Sequence, residues 1–124
     1  MKILVAPNAF KEALSAREAG EAIKGGLERA LPDSDITVLP IADGGDGTIE
    51  VLVETTGGQF IEKCVTGPLG ERVKASFGIL GDGKTAVIEM ARTSGLALVP
   101  KEKRNPAITT TYGVGELIKE ALER

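Results

Sequence analysis

The sequence predicts an α/β protein: an N-terminal β-α-β-α unit on a parallel sheet, then an antiparallel β-meander, then a C-terminal helix. Three observations carry this. Two short apolar runs, 2–6 (KILVA) and 36–41 (ITVLPI), flank a segment with helical spacing. Residues 72–79 alternate apolar and polar, and residues 112–124 return to a helical period.

The run 2–6 reads as a parallel strand buried on both faces. Ser15, with Glu18 three residues on, forms a capping box, after which Ala19, Ile23, Leu27, Ala30 and Leu31 recur at helical spacing until Pro32-Asp33. Gly25-Gly26 is a weak point in this helix. The run 36–41 is a second buried strand, with Pro40 suited to an edge or terminus, and Thr48 caps a short helix reaching about Thr56. Parallel strands joined by a helix imply a right-handed crossover.

The pattern changes at Gly57-Gly58. Val73, Ala75, Phe77 and Ile79 alternate with Arg72, Lys74, Ser76 and Gly78, the mark of a half-buried antiparallel strand. Gly67-Pro68-Leu69-Gly70 supplies the turn joining it to residues 60–66. In the last helix Val114, Leu117, Ile118, Ala121 and Leu122 share a face. Residues 1–57 are therefore expected to form a Rossmann- or flavodoxin-like α/β part. Residues 58–124 are expected to form a meander plus helix that begins a second α/β domain.

Composition narrows the function. The chain has 124 residues, 42% hydrophobic and 3% aromatic, with a formal net charge of −3. It carries no basic footprint and almost no stacking surface, so nucleic acid is not an expected partner. The apolar runs are too short for a membrane span or a signal sequence, and the single Cys64 cannot form an internal disulfide, which points to the cytoplasm. The chain has no histidine, which removes imidazole-based nucleophile systems and zinc sites. Acid and base work falls to carboxylates, lysine or tyrosine.

The stretch GILGDGKT, 78–85, matches the phosphate-loop pattern G-x-x-x-x-G-K-[ST]. A phosphate loop needs a helix after its lysine, because the first amides of that helix hold the phosphates. Lys84 is succeeded instead by TAVIEM, β-branched and without helical period, and Asp82-Gly83 favours a tight hairpin turn. The stretch is expected to be a hairpin.

Ala42-Asp43-Gly44-Gly45-Asp46-Gly47-Thr48 is the better site. It lies where a buried strand feeds a helix, at the carboxyl end of a parallel sheet, where open α/β folds bind ligands. Its glycines let backbone amides approach an anion. Asp43 or Asp46 then serves as a general base toward a hydroxyl or as a metal ligand; alternatively both are simply turn residues, with Asp46 complementing the helix dipole. The D-x-x-D-G spacing does not suit an EF-hand. Pro7-Asn8-Ala9-Phe10-Lys11-Glu12 lies on the same sheet edge. There Lys11 offers a cation for a carboxylate or phosphoryl group, and Asn8 a donor to an oxygen. A third group is Arg104 with Thr109, Thr110 and Thr111, whose hydroxyls and amides precede a helix. Glu89 is either functional or paired with Arg92.

APNAFKEALSA (6–16), ADGGDGT (42–48), VTGPLGE (65–71), FGILGDGKTAVIEMA (77–91) and RNPAITTTYGVGELI (104–118), in this order, resemble the class I glycerate kinases. The resemblance covers all 124 residues but only about the N-terminal third of a family member. It implies ATP-dependent phosphorylation of D-glycerate, usually at the 2-hydroxyl, with ATP and Mg2+, in a two-domain α/β enzyme whose ATP site is not a phosphate loop. Lys11, Asp43, Gly44 and Gly45 match the family pattern, which makes Asp43 and Lys11 the expected catalytic pair. Gly44, Gly45, Asp46, Gly47, Thr48, Arg104, Thr110 and Thr111 are the expected substrate-binding set; the metal ligands are not identified.

The chain departs from that pattern in places. Family members commonly carry Asp-Ser at Asn8-Ala9, Gly-Ser at Glu12-Ala13, and Glu at Asp46. The first two changes remove polar groups, so these positions are not expected to be catalytic. A chain ending near Arg124 is expected to act as an inactive fragment and to self-associate through exposed apolar surface. Two other classes remain open: a noncatalytic module for small carboxylates or phosphates, and a phosphate-loop nucleotide binder, which a helix after Lys84 would reveal.

Overall fold

The computed structural model describes residues 1–10 and 13–124. The chain divides into two compact units, Met1–Val51 and Leu52–Arg124.

In the first unit β1 (Lys2–Val5) and β2 (Asp35–Val38) pair in parallel, with Lys2 opposite Asp35 and Val5 opposite Val38. The crossover is α1 (Ala16–Ala30), whose start is the expected capping box. The Glu18 amide donates to Ser15 Oγ at 3.2 Å, and the Ser15 amide donates to Glu18 Oε2 at 2.8 Å. The Ser15 amide and then its hydroxyl hold the Glu18 carboxyl below its ordinary pKa. Beyond the strands, Leu39 N donates to Val5 O at 2.8 Å and Ile41 N donates to Pro7 O at 3.0 Å. Only alternate residues donate to one neighbour, so Pro40 between them removes no bond of this ladder.

The expectation of strands buried on both faces is not met. Val5 is buried, yet its neighbour Leu4 is 63% exposed. The physical reason is that α1 lays Ala16, Ala19 and Gly20 on one face of a two-stranded sheet. Further along the helical stripe, Ile23 and Leu31 are exposed, so α1 is buried mainly in its first turns.

Gly25 and Gly26 are helical, as the continuous α1 shows, and nothing lies within 4 Å of a Cβ built on either. Glycine inside a helix is about 0.5–1 kcal/mol less favourable than alanine. Gly25→Ala and Gly26→Ala should therefore each raise stability by about that amount in urea unfolding. A fall in stability from either would contradict an unbroken helix.

α2 (Thr48–Thr56) begins in the first unit and ends in the second, burying Ile49 and Val53. The second unit continues with the expected meander: β3 (Gln59–Thr66), β4 (Arg72–Ile79) and the short β5 (Ala86–Val87), in that order across the sheet. The β3–β4 turn closes as predicted, with Gly70 N donating to Gly67 O at 3.1 Å and Thr66 opposite Arg72. After a short α3 (Ala91–Ser94) and two 3-10 turns, α4 (Tyr112–Leu122) returns over the sheet.

Alternation in β4 does what the sequence requires. Ala75 and Phe77 join Val65 and Leu117 in the core, with Val73 and Ile79 packed at its margin. On α4 the buried face differs from the expected one. Gly113 and Leu117 are buried, while Ile118 is 46% and Leu122 83% exposed. Glu116 and Glu120 explain the rotation, because both are tied to β3. The Thr66 amide donates to Glu116 Oε2 at 2.5 Å, Arg72 donates to Glu116 Oε1 at 3.3 Å, and Lys63 pairs with Glu120. The Thr66 amide is also the main reason the Glu116 carboxyl lies below its ordinary pKa.

Candidate functional site

The letters of the phosphate loop fold as a hairpin. Leu80 N donates to Thr85 O and Gly83 N to Leu80 O, both at 2.9 Å, and the strand β5 comes next, paired with β4. Asp82 fills the centre of the turn. Its Oδ1 accepts from the amides of Lys84 and Thr85 at 2.9 Å each, and its Oδ2 accepts from the Thr85 hydroxyl at 2.6 Å. The Thr85 hydroxyl, then these two amides, lower the Asp82 pKa. The amides a phosphate would use are therefore committed to a carboxylate, and no helix succeeds Lys84 to supply others. This excludes the phosphate-loop reading.

The loop 42–48 carries the stronger constellation. The ladder that runs from β2 past Ile41 places Asp43 beside the residues that come after β1. There Asn8 Nδ2 donates to Asp43 Oδ2 at 2.8 Å, a contact across 35 residues. The other carboxylate oxygen, Oδ1, accepts from Gly45 N at 2.9 Å. An ionised carboxylate offers about four lone-pair sites, and a donor on each oxygen fixes its plane.

Thr48 ties the loop to the start of α2. Its Oγ1 accepts from Gly44 N at 3.1 Å and donates to Gly45 O at 2.8 Å. Gly44 and Gly47 both have φ of 91°, a conformation that side chains oppose, which is why the loop is written with glycine at these two places. Asn8, Ala9, Asp43, Gly45 and Asp46 line a depression of about 190 Å³. Pockets for drug-sized ligands run to about 300–1,000 Å³, so this one is sized for a smaller molecule.

Lys11 lies outside the described residues. Arg104 is in the second unit, where Nε donates to Val99 O at 3.1 Å and Nη2 to Leu96 O at 3.0 Å, so two of its donors hold a backbone turn. Thr110 N donates to Pro68 O at 3.0 Å, and Thr110 Oγ1 accepts from Tyr112 N at 3.1 Å. Thr111 is the N-cap residue of α4. Glu89 is buried, and its carboxylate lies 4.0 Å from Arg92 Nε.

Comparison with known proteins decides the lineage. The family model described as the glycerate kinase family matches residues 3–124. The chain belongs to the glycerate kinase family. It is 61% identical over 123 residues to a glycerate kinase of Bacillus subtilis, covering 99% of this chain and 32% of that relative. It is 55% identical over 123 residues to the Escherichia coli glycerate 2-kinase, again 99% of this chain and 32% of that relative. A crystal structure of a glycerate kinase 2 candidate from Salmonella typhimurium LT2 superposes with a TM-score of 0.72 at 51% identity, covering 99% of this chain and 33% of that one. The chain thus spans about a third of the length of the glycerate kinases it matches.

Within this glycerate kinase segment, Asn8 carried two sequence readings, a donor to an oxygen and a position not expected to be catalytic. Its change from the family's common aspartate pointed to a lost polar group. In the structure its amide instead donates to Asp43. The first reading, from its position on the same edge as the aspartate loop and its capacity to donate to an oxygen, matches this bond, but the acceptor is Asp43, which the sequence did not indicate.

Proposed function

We propose that this chain is the N-terminal, acid-binding part of a cytoplasmic kinase that phosphorylates D-glycerate at its 2-hydroxyl, with Asp43 as proton acceptor. The carrying observation is the Asp43 carboxylate, held on one oxygen by Gly45 N at 2.9 Å and on the other by Asn8 at 2.8 Å, at the edge of a small depression. Asp43 orients the substrate hydroxyl and takes its proton as that oxygen becomes a nucleophile. The backbone of Gly44, Gly45 and Gly47, with Asp46 and Thr48, shapes the wall against which the substrate sits. Lys11 holds the substrate carboxylate or the transferring phosphoryl group; Arg104, Thr110 and Thr111 are the candidate substrate-binding residues of the second unit. ATP provides the phosphoryl group. Its site is not the 78–85 hairpin, whose amides Asp82 occupies. Mg2+ finds no cluster of three metal-ligating side chains among the described residues, and no step is assigned to it.

We further propose residues 1–57 and 58–124 as parts of two α/β domains that longer relatives complete. The apolar side chains exposed in the first unit, Leu4, Leu39 and Ile41 among them, would be covered there or drive self-association of the isolated segment.

The test is glycerate-dependent ADP release by the full-length kinase carrying this segment, with the product identified by phosphorus NMR. Phosphorylation at the 2-hydroxyl is expected; glycerate binding without ATP consumption would replace the kinase by a noncatalytic carboxylate-binding module. The 124-residue chain alone should show little or no turnover.

A further inference from the structure

We infer that Asn8 is a positioning residue for Asp43, fixing which oxygen of the carboxylate meets the substrate hydroxyl. The inference rests on the reading of Asp43 as proton acceptor. Both ends of the Asn8 carboxamide are engaged. Its Oδ1 accepts from Ala9 N at 2.7 Å, which leaves Nδ2 as the group that donates to Asp43 Oδ2 at 2.8 Å. Because an amide cannot exchange its two ends without breaking both bonds, the Asn8 side chain presents a donor in one fixed direction.

The opposite oxygen of Asp43 is held by Gly45 N at 2.9 Å, and a Cβ at Gly45 would sit 3.0 Å from that same Oδ1. The carboxylate is thus clamped between a donor of its own loop and one 35 residues away. The Gly45 bond is local to the loop and holds only Oδ1. Asn8 holds the other oxygen from a second loop, and it does so as a neutral donor, so it adds no second charge beside Asp43. Among the described residues, Asp46 is the other carboxylate lining the depression. A hydrogen bond to a base that acts on a substrate proton affects the reacting geometry more than the affinity for substrate.

Three variants of the full-length kinase separate the possibilities. In Asn8→Ala we expect kcat to fall about tenfold with the glycerate KM within about twofold and an unchanged melting temperature, the split that orientation predicts. Asn8→Asp, close in size and so safe for folding, puts a second carboxylate against Asp43, and like charges at hydrogen-bond distance force one to retain a proton. Its acid limb in kcat against pH should move up by about one unit or more. Asp43→Asn tests the underlying reading. If it abolishes turnover while Asn8→Ala keeps wild-type kcat and Asn8→Asp keeps the wild-type pH profile, the role given to Asn8 is overturned and that of Asp43 stands. If Asp43→Asn is itself near normal, both fall.

Discussion

Asp43→Asn in the full-length kinase is expected to lower kcat by about 10²–10⁴-fold, the range over which a positioned general base contributes. The replacement keeps the size and planarity of the side chain and lets an oxygen still accept from Gly45 N, the 2.9 Å bond that orients the group. What it removes is basicity. On the other side the new amide would face the Asn8 amide, donor against donor, so the 2.8 Å bond is lost as well unless Asn8 turns over. Asp43 is exposed and lies in a loop outside both cores, so the fold should be unaffected and the melting temperature should stay at the wild-type value. The informative measurement is kcat beside the KM for ATP and for glycerate: a base acts on the chemical step, so kcat carries the loss. Near-normal kcat/KM in this variant would remove Asp43 from the mechanism.

Gly113→Ala should damage the second unit strongly, costing about 1–3 kcal/mol or more, the usual range for overpacking. A Cβ on Gly113 would lie 2.1 Å from the Thr66 carbonyl oxygen and 3.3 Å from Thr93 Cβ. The first obstacle is backbone in β3, which cannot rotate away, and Thr93 is fully buried. The start of α4 would have to lift from the sheet. That movement loosens Leu117 in the core and stretches the 2.5 Å bond from the Thr66 amide to Glu116. Gly115, two residues on, gives the control, since nothing lies within 4 Å of its Cβ and alanine there should be neutral or stabilising by about 1 kcal/mol. Equal stability of the two variants in urea unfolding would show that α4 does not approach β3 so closely.

Periodic features were legible in the sequence because a single physical rule wrote them. The capping box at Ser15 and Glu18, the alternation of Val73, Ala75, Phe77 and Ile79, and the Asp82-Gly83 turn each depend on local chemistry, and each forms as expected. Burial was less legible, since it depends on what lies opposite. Leu4 and Leu122 are as apolar as their neighbours, yet one faces away from the single covering helix and the other was displaced from the sheet by the ties of Glu116 and Glu120. The site divides in the same way. The glycines and aspartates of 42–48 announced a loop with a purpose, whereas the Asn8–Asp43 bond joins positions 35 apart and depends on the parallel register of Val5 with Val38.

That register has a temporal consequence. Asn8 and Gly45, which hold the Asp43 carboxylate, and Thr48, which ties down its loop, all lie within the first unit. Chains emerge from the ribosome amino end first, and domains tend to fold as units in that order. The carboxylate can therefore acquire its orientation while most of a kinase of the relatives' length is still being translated. Nascent chains that have just cleared β2 and the start of α2 would already hold every residue of the Asn8–Asp43–Gly45 bond set.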